Sequence, residues 1–130
     1  MSRVLLIDDT PEIGELLTFS LRDQGFEVVA SGFTGEINEL LADARADALV
    51  LDCSVFEMSE SLFDSVRSHP DRAALPIVII SDTPEKADAS LRAREAEHVL
   101  LIPKPFSGSQ VARALNDLLQ ITLHQEGHGG

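Results

Sequence analysis

The sequence predicts an α/β fold, in which a doubly wound, five-stranded parallel sheet is covered by five helices on its two faces. Five short apolar runs alternate along the chain with longer segments whose apolar residues repeat at helical spacing. The runs are apolar at successive positions, which is typical of parallel strands that are buried on both faces. With 130 residues, the chain has the length of one domain and can bury a core without disulfides or a metal ion.

The five predicted strands are aliphatic runs, and most of them are bounded by turn or cap residues. They cover residues 4–7, 26–30, 48–51, 77–80 and 99–102. Crossovers between parallel strands in one sheet are right-handed, so the helices between these strands pack back onto the sheet.

The first two helices follow the first two strands. Pro11 is preset for the first turn of a helix, Asp9 or Thr10 supplies its cap, and Gly25 ends it. The second helix is indicated by four apolar residues at helical spacing, which are Ile37, Leu40, Leu41 and Ala44.

The last three helices are less uniform. The third is marked by apolar residues over 62–66 and closes before Pro70. The fourth begins at Pro84 and has the weakest apolar face in the chain, whereas the fifth carries an apolar stripe over 111–119.

The end of the chain is polar and rich in glycine beyond about Leu123. Such a segment adds little to a core and is typical of a frayed terminus. We therefore expect one domain over residues 1–123 and a flexible tail over residues 124–130.

Charge and composition exclude several classes of function. The net charge is −12, from 22 acidic and 10 basic residues, so we expect no direct binding to nucleic acid or to an anionic membrane surface. No apolar run reaches the length of a membrane span or a signal peptide. The single cysteine, Cys53, allows no internal disulfide, and together these features predict a cytoplasmic protein.

Charged and hydroxyl side chains follow four of the five predicted strands. Asp8 and Asp9 come after the first strand, Asp52 after the third, Ser81 after the fourth and Lys104 after the fifth. Because functional groups of open parallel sheets collect beyond the carboxyl ends of the strands, we expect these five residues at one edge.

This set of side chains suits phosphoryl transfer onto a carboxylate. A cluster of carboxylates at a solvent-facing edge repels itself and favours Mg²⁺, which keeps several waters and prefers oxygen ligands. A lysine adds a compact positive charge that can meet a phosphoryl group. Taken singly, each residue also suits a helix cap or a turn. Four strands that end in the right residue type favour the chemical interpretation.

The chain resembles the receiver domains of two-component response regulators. The resemblance covers residues 3 to about 120. It implies the flavodoxin-like strand order 2-1-3-4-5 and a domain that accepts a phosphoryl group from a histidine kinase or phosphotransfer protein and relays a conformational change to a partner. The matching motifs are Leu6-Ile7-Asp8-Asp9, Leu49-Val50-Leu51-Asp52, Ile79-Ile80-Ser81 and Lys104-Pro105-Phe106.

The resemblance assigns three residues to the reaction with the phosphoryl group. Asp52 would be the phosphoacceptor, Lys104 would pair with the phosphoryl group, and Ser81 would be the switch hydroxyl that turns toward it. The resemblance also implies a cis peptide bond between Lys104 and Pro105.

The resemblance further implies Mg²⁺ as a cofactor. Asp9 would bind the ion directly, and Asp8 would act mostly through water. Asp52 and the backbone carbonyl of Ser54 would complete the protein ligands.

Several positions depart from the pattern of the family. Phe56 stands where proline is usual and Glu60 where glycine is usual, so we expect the loop over 53–60 to have a different shape. Asp82 follows the switch serine where a small residue is common, and Leu101 replaces the usual aromatic switch residue. We expect Leu101 to weaken the conformational response, because a leucine changes less buried area than an aromatic ring.

Two other functions remain as alternatives. A Mg²⁺-dependent aspartyl phosphohydrolase of the haloacid dehalogenase type would need a second aspartate two residues after the nucleophile, where this chain has Ser54. A receiver-like scaffold would bind partners without being phosphorylated. The resemblance favours a signalling domain that catalyses only its own phosphorylation and dephosphorylation. The downstream target, a longer parent regulator and a dimer through the face of helix four, strand five and helix five stay open.

Overall fold

The protein is described by a computed structural model that covers residues 2–33 and 35–128, with side chains described up to residue 121. Within these ranges, five strands alternate with five α-helices, as the sequence predicts. The strands are β1 (Arg3–Asp8), β2 (Glu27–Ser31), β3 (Ala48–Asp52), β4 (Ile77–Ser81) and β5 (Val99–Pro103). The helices are α1 (Pro11–Asp23), α2 (Ile37–Ala44), α3 (Phe56–Ser68), α4 (Pro84–Ala93) and α5 (Gly108–His128), and a short 3₁₀ helix, Pro70–Arg72, follows α3.

The five strands form one parallel sheet in the order β2-β1-β3-β4-β5. This order confirms the doubly wound, flavodoxin-like arrangement that the resemblance implies. β1 lies between β2 and β3, and the register pairs Val4 with Ala48 and Asp8 with Asp52. The carboxyl ends of the two strands are therefore level with each other at one edge of the sheet.

Two apolar clusters pack on opposite faces of the sheet, because successive side chains of each strand point to opposite faces. Val4 and Leu6 of β1 face one cluster, which includes side chains of α1 and α5. Leu5 and Ile7 of the same strand face the other cluster, which includes side chains of α2 and α3 and Ala87 of α4. Alternate residues of one aliphatic run therefore supply both cores, which explains why the run has no polar positions.

The connection from α1 to β2 moves the start of β2 by one residue, to Glu27 instead of the predicted Phe26. Gly25 has a φ of 96°, a left-handed conformation that glycine adopts without strain. The N–H groups of Gly25 and Phe26 donate to the carbonyls of Arg22 and Leu21, which completes a Schellman motif. Phe26 is thus part of the helix end, and its buried ring packs in the core with Leu21.

The last helix is longer than the apolar stripe predicts. α5 continues to His128, so residues 124–128 of the predicted tail are helical, while Gly129 and Gly130 lie outside the described residues. The stripe over 111–119 marks the part of the helix that faces the core. The end of an apolar stripe therefore did not mark the end of the helix.

The N-terminus of α5 lies directly against α1. A Cβ atom at Gly108 would lie 1.7 Å from Ser20 Oγ and 2.4 Å from Ser20 Cβ. Such distances are far below van der Waals contact, so this crossing requires a residue without a side chain at position 108.

We expect the substitution Gly108→Ala to lower the free energy of unfolding by about 1 to 3 kcal/mol, because α1 and α5 must move apart. Chemical denaturation monitored by circular dichroism measures this change. Gly32→Ala is the control, since a Cβ at Gly32 would meet no atom within 4 Å. Equal denaturation midpoints for the two variants would contradict this account of the helix crossing.

Candidate functional site

Two carboxylates lie side by side where β1 and β3 end. The register aligns Asp8 with Asp52, and both residues are buried, with only 6% and 2% of their surface exposed. Buried carboxylates lose their hydration, so they require a positive charge, hydrogen-bond donors or a proton.

The positive charge near this pair comes from Lys104, which follows β5. Lys104 Nζ lies 3.0 Å from Asp52 Oδ1, and the backbone N–H of Lys104 donates to the carbonyl of Ser81 at 2.9 Å. The contact with Asp52 is an ion pair without the alignment of a hydrogen bond, and Asp52 Oδ2 has no partner. The Lys104–Pro105 peptide bond is cis, which confirms the expectation from the resemblance.

Asp9 points to the neighbouring loop between β3 and α3. Its carboxylate oxygens each lie 3.0 Å from the backbone nitrogen of Ser54, and the Ser54 hydroxyl donates to Oδ2 at 2.5 Å. Ser54 therefore meets Asp9 through its N–H and hydroxyl groups, whereas the resemblance concerned its carbonyl oxygen. These hydrogen bonds tie the loop after β1 to the loop after β3.

The environment shifts the pKa values of the site in different directions. Burial, together with the nearby charges of Asp52 and Asp9, raises the pKa of Asp8 to about 6, although the N–H of Thr10 donates to its Oδ1 at 2.6 Å. Burial also raises the pKa of Asp52, against the opposing effect of Lys104. For Asp9, the donors of Ser54 outweigh burial and lower the pKa.

Lys104 responds in the opposite sense to its own burial. Burial acts to lower the pKa of Lys104, but the carboxylate of Asp52 outweighs it, so the pKa is raised and the side chain stays charged. Asp82, which is exposed, adds a smaller effect of the same sign and also raises the pKa of Asp52.

Ser81 ends β4 at the same edge and is buried. Its hydroxyl accepts a hydrogen bond from the N–H of Thr83 at 3.0 Å and lies 3.2 Å from the Thr83 hydroxyl. The sequence interpretation did not single out Thr83. Its position before Pro84, at the start of α4, is the signal that could have identified it.

The carboxylates at this edge fit a divalent cation. Three carboxylate oxygens are buried without a hydrogen-bond partner, namely Asp8 Oδ2, Asp52 Oδ1 and Asp52 Oδ2. Among the described residues, no group of three or more His, Cys, Asp and Glu side chains is arranged to hold a metal ion by itself. Mg²⁺ does not need such a group, since it binds through one or two carboxylates and keeps several waters.

A ladder of polar contacts joins α3 to α4 beside the site. Lys86 contacts Glu57, while the Ser90 hydroxyl donates to Glu60 at 2.6 Å. Arg94 lies 2.8 Å from Asp64 and 3.4 Å from Glu60. Glu60, which departs from the family pattern, thus has a structural role. The acidic residues of α3 and their partners on α4 each repeat at helical spacing, and this match could have predicted the ladder.

The loop over 53–60 is short. α3 begins at Phe56, whose side chain is buried, so residues 53–55 alone connect β3 to the helix. The phenylalanine at the usual proline position therefore anchors the first turn of α3 in the core.

Comparison with known proteins identifies one family. The family model described as the response regulator receiver domain matches residues 4–116. The chain is 29% identical over 128 residues to the transcriptional regulatory protein GltR of Pseudomonas aeruginosa, covering 98% of this chain and 52% of that protein. It is 30% identical over 122 residues to the probable transcriptional regulatory protein TcrX of Mycobacterium tuberculosis, covering 92% of this chain and 50% of that protein. The chain thus spans about half the length of these relatives.

Solved structures share the fold. The receiver domain of the sensor histidine kinase PA1611 from Pseudomonas aeruginosa superposes with a TM-score of 0.71 at 20% identity, covering 92% of this chain and 98% of that one. That structure has a magnesium ion coordinated in its active site cleft. Within the described part of this chain, no helix has the length and apolar character to cross a membrane.

We expect Asp8→Asn to stabilise the metal-free protein at pH 8 by about 1 to 3 kcal/mol, because it removes a buried like charge. The raised pKa of Asp8 means that the folded state binds a proton more tightly than the unfolded state. Stability of the wild type therefore falls as the pH rises from about 4 to about 6, and the loss is complete above that range.

Thermal unfolding in EDTA between pH 4 and 8 measures this difference, which should disappear at the acidic end. Asp117→Asn, at an exposed position of α5, is the control and should leave the pH profile almost unchanged. Parallel profiles for wild type and Asp8→Asn would contradict the raised pKa.

Proposed function

The chain belongs to the response regulator receiver domain family, and from that premise we propose that Asp52 is the residue that accepts the phosphoryl group. Receiver domains of this family are signalling domains of two-component systems. One observation carries the assignment of Asp52. Its carboxylate is buried at the end of the central strand β3, is paired with Lys104, and keeps one oxygen without a partner.

In the proposed reaction, a carboxylate oxygen of Asp52 attacks the phosphorus of a phosphohistidine. The new P–O bond forms as the P–N bond breaks, and the imidazole leaves with the electron pair of that bond. Lys104 lies within 3.0 Å of the carboxylate and would stabilise the charge that the phosphoryl group brings. Ser81, at the end of the adjacent strand, would supply its hydroxyl to the phosphorylated state.

We include Mg²⁺ in the proposal as the cofactor of this transfer. Asp8, Asp9, Asp52 and the backbone carbonyl of Ser54 would hold the ion, which would neutralise charge on the phosphoryl oxygens when bound. The unpartnered oxygens of Asp8 and Asp52 support this assignment. Asp9 would bind the ion with oxygens that now accept hydrogen bonds from Ser54, so Ser54 would help to position that carboxylate.

The proposed partners follow from the charge and the family. A histidine kinase or phosphotransfer protein would donate the phosphoryl group, and the net charge of −12 supports an output through protein contacts and not through nucleic acid. Apart from reactions of its own phosphoryl group, we propose no enzymatic activity. A reducing, cytoplasmic location fits the buried free thiol of Cys53. Leu100, exposed on the edge strand β5, supports contact between two copies through the face of α4, β5 and α5.

We expect acetyl phosphate with Mg²⁺ to add one phosphoryl group to the protein, because both the nucleophile and the charges that stabilise transfer are in place. Intact-mass spectrometry should show this product, and EDTA or Asp52→Asn should abolish it. Asp82→Asn is the matched control, since Asp82 is an exposed carboxylate near the same site, and it should still be labelled.

Each alternative function makes a different prediction for this experiment. A scaffold would show no labelling of the wild type, and a phosphohydrolase would turn over external phosphate esters continuously. Full labelling of Asp52→Asn would show that another residue is the acceptor.

The conformational response involves α4 and β5. Ala87 is the one buried residue of α4 within the described chain, so this helix has a small apolar contact with the core. Its other contacts with α3 are the exposed and half-buried polar pairs of the ladder. Leu101 of β5 is half-buried against the same core and has no ring or hydroxyl to bury or expose. These features support a small difference in free energy between the two states.

We expect beryllofluoride to shift the isolated domain only partly toward its active conformation. A nearly complete shift would need about 5.5 kcal/mol of differential stabilisation, which Leu101 does not provide through ring burial. NMR spectra of residues 82 to 106 should therefore show residual exchange after beryllofluoride binding. Leu101→Phe should reduce that exchange, and Leu100→Phe on the same strand is the control. Complete conversion of the unmodified domain would contradict this expectation.

A further inference from the structure

A cleft of about 550 Å³ lies between α1 and the end of β2, on the side of Asp8 away from Lys104 and Asp52. Its volume falls in the range of small-molecule sites, which is about 300 to 1,000 Å³. Asp8 and Thr18 form its buried part, and Glu12, Glu15, Phe19 and Arg22 are also in its walls. The proposed phosphoryl transfer uses none of these residues except Asp8.

Two oxygen atoms in this cleft are buried without a hydrogen-bond partner, and they are Asp8 Oδ2 and Thr18 Oγ1. The other oxygen of Asp8 already accepts a hydrogen bond from Thr10. Leaving a buried polar atom unpaired costs about 1 to 3 kcal/mol, so a ligand that pairs both atoms would gain that amount of stabilisation. An ionised carboxylate only accepts hydrogen bonds and a hydroxyl can accept them, so a ligand group that only donates would satisfy both.

The charge in the cleft also selects the ligand. Asp8, Glu12 and Glu15 are acidic, whereas Arg22 is the one basic residue in the described lining, and its guanidinium donates to the carbonyl of Val28 at 3.2 Å. The excess of negative charge favours a cation and disfavours phosphate or another anion.

The walls leave room for an apolar body next to the charged group. Phe19 lines the cleft with 65% of its surface exposed, and an aromatic face attracts both apolar groups and cations. Gly14 has no Cβ, and a Cβ there would lie 3.3 Å from Asp8 Oδ2. The glycine therefore keeps the approach to the buried carboxylate free of side-chain atoms.

We propose that this cleft binds a small organic cation, with an ammonium or amidinium head against Asp8 and Thr18 and an apolar or aromatic body along Phe19. The head has only donors and a positive charge, as the two unpaired oxygens and the acidic wall require. This binding goes beyond the phosphoryl-transfer function and needs neither phosphorylation nor Mg²⁺.

Three probes with the same ring test the choice of charge, namely benzylamine, benzyl alcohol and benzoate. We titrate each into the full chain with EDTA present and follow the backbone amides by NMR. Benzylamine should give saturable shifts in α1 and around residues 30–32, benzyl alcohol should bind at least tenfold more weakly, and benzoate should not bind. Equal binding of the three probes, or shifts without saturation over the whole acidic surface, would overturn the proposal.

Variants of two lining residues test the position. Thr18→Val should weaken benzylamine binding about tenfold, and Thr18→Ser, which keeps the hydroxyl, should restore it. Phe19→Ala should also weaken binding, whereas Leu16→Ala is the control, because Leu16 is exposed on the same helix but does not line the cleft. If Thr18→Val does not fold, the comparison of Phe19→Ala with Leu16→Ala decides. Unchanged affinity in Phe19→Ala would then refute the site.

Discussion

The alignment of Asp8 with Asp52 across β1 and β3 is the constraint on which the rest of the site depends. The register is set by aliphatic residues that fill both cores, so the two carboxylates are brought together by packing forces that do not involve them. Burial then raises both pKa values, and Lys104 offsets part of this effect for Asp52. Hydrophobic packing thus holds a cluster of like charges that would separate in a flexible chain.

The strands and the site residues could be predicted because they follow from local rules. An aliphatic run of four residues indicates a buried strand wherever it lies, and the residue after it reaches the edge of the sheet. The residue-level errors arose where a second element decided the outcome. Phe26 belongs to the end of α1 because its N–H completes the Schellman motif, and α5 continues to His128 beyond its apolar stripe.

The contacts between side chains of different elements could not be predicted with the same reliability. The hydrogen bonds from Ser54 to Asp9 and the direction in which the Ser81 hydroxyl points depend on loop geometry of a few tenths of an ångström. Likewise, the cleft beside Thr18 exists only because α1 and the end of β2 diverge above Gly14. Spacing along the chain contains the residue types but not these distances.

The ladder between α3 and α4 has a consequence for how the domain responds to its surroundings. Its ion pairs lie at or near the surface, where dissolved ions screen attraction over about 10 Å at 0.1 M ionic strength. The apolar contact of Ala87 is not screened in this way. Dissolved salt would therefore loosen the polar attachment of α4 while leaving its apolar anchor in place, so that the same helix is held more loosely in a concentrated cell than in a dilute one.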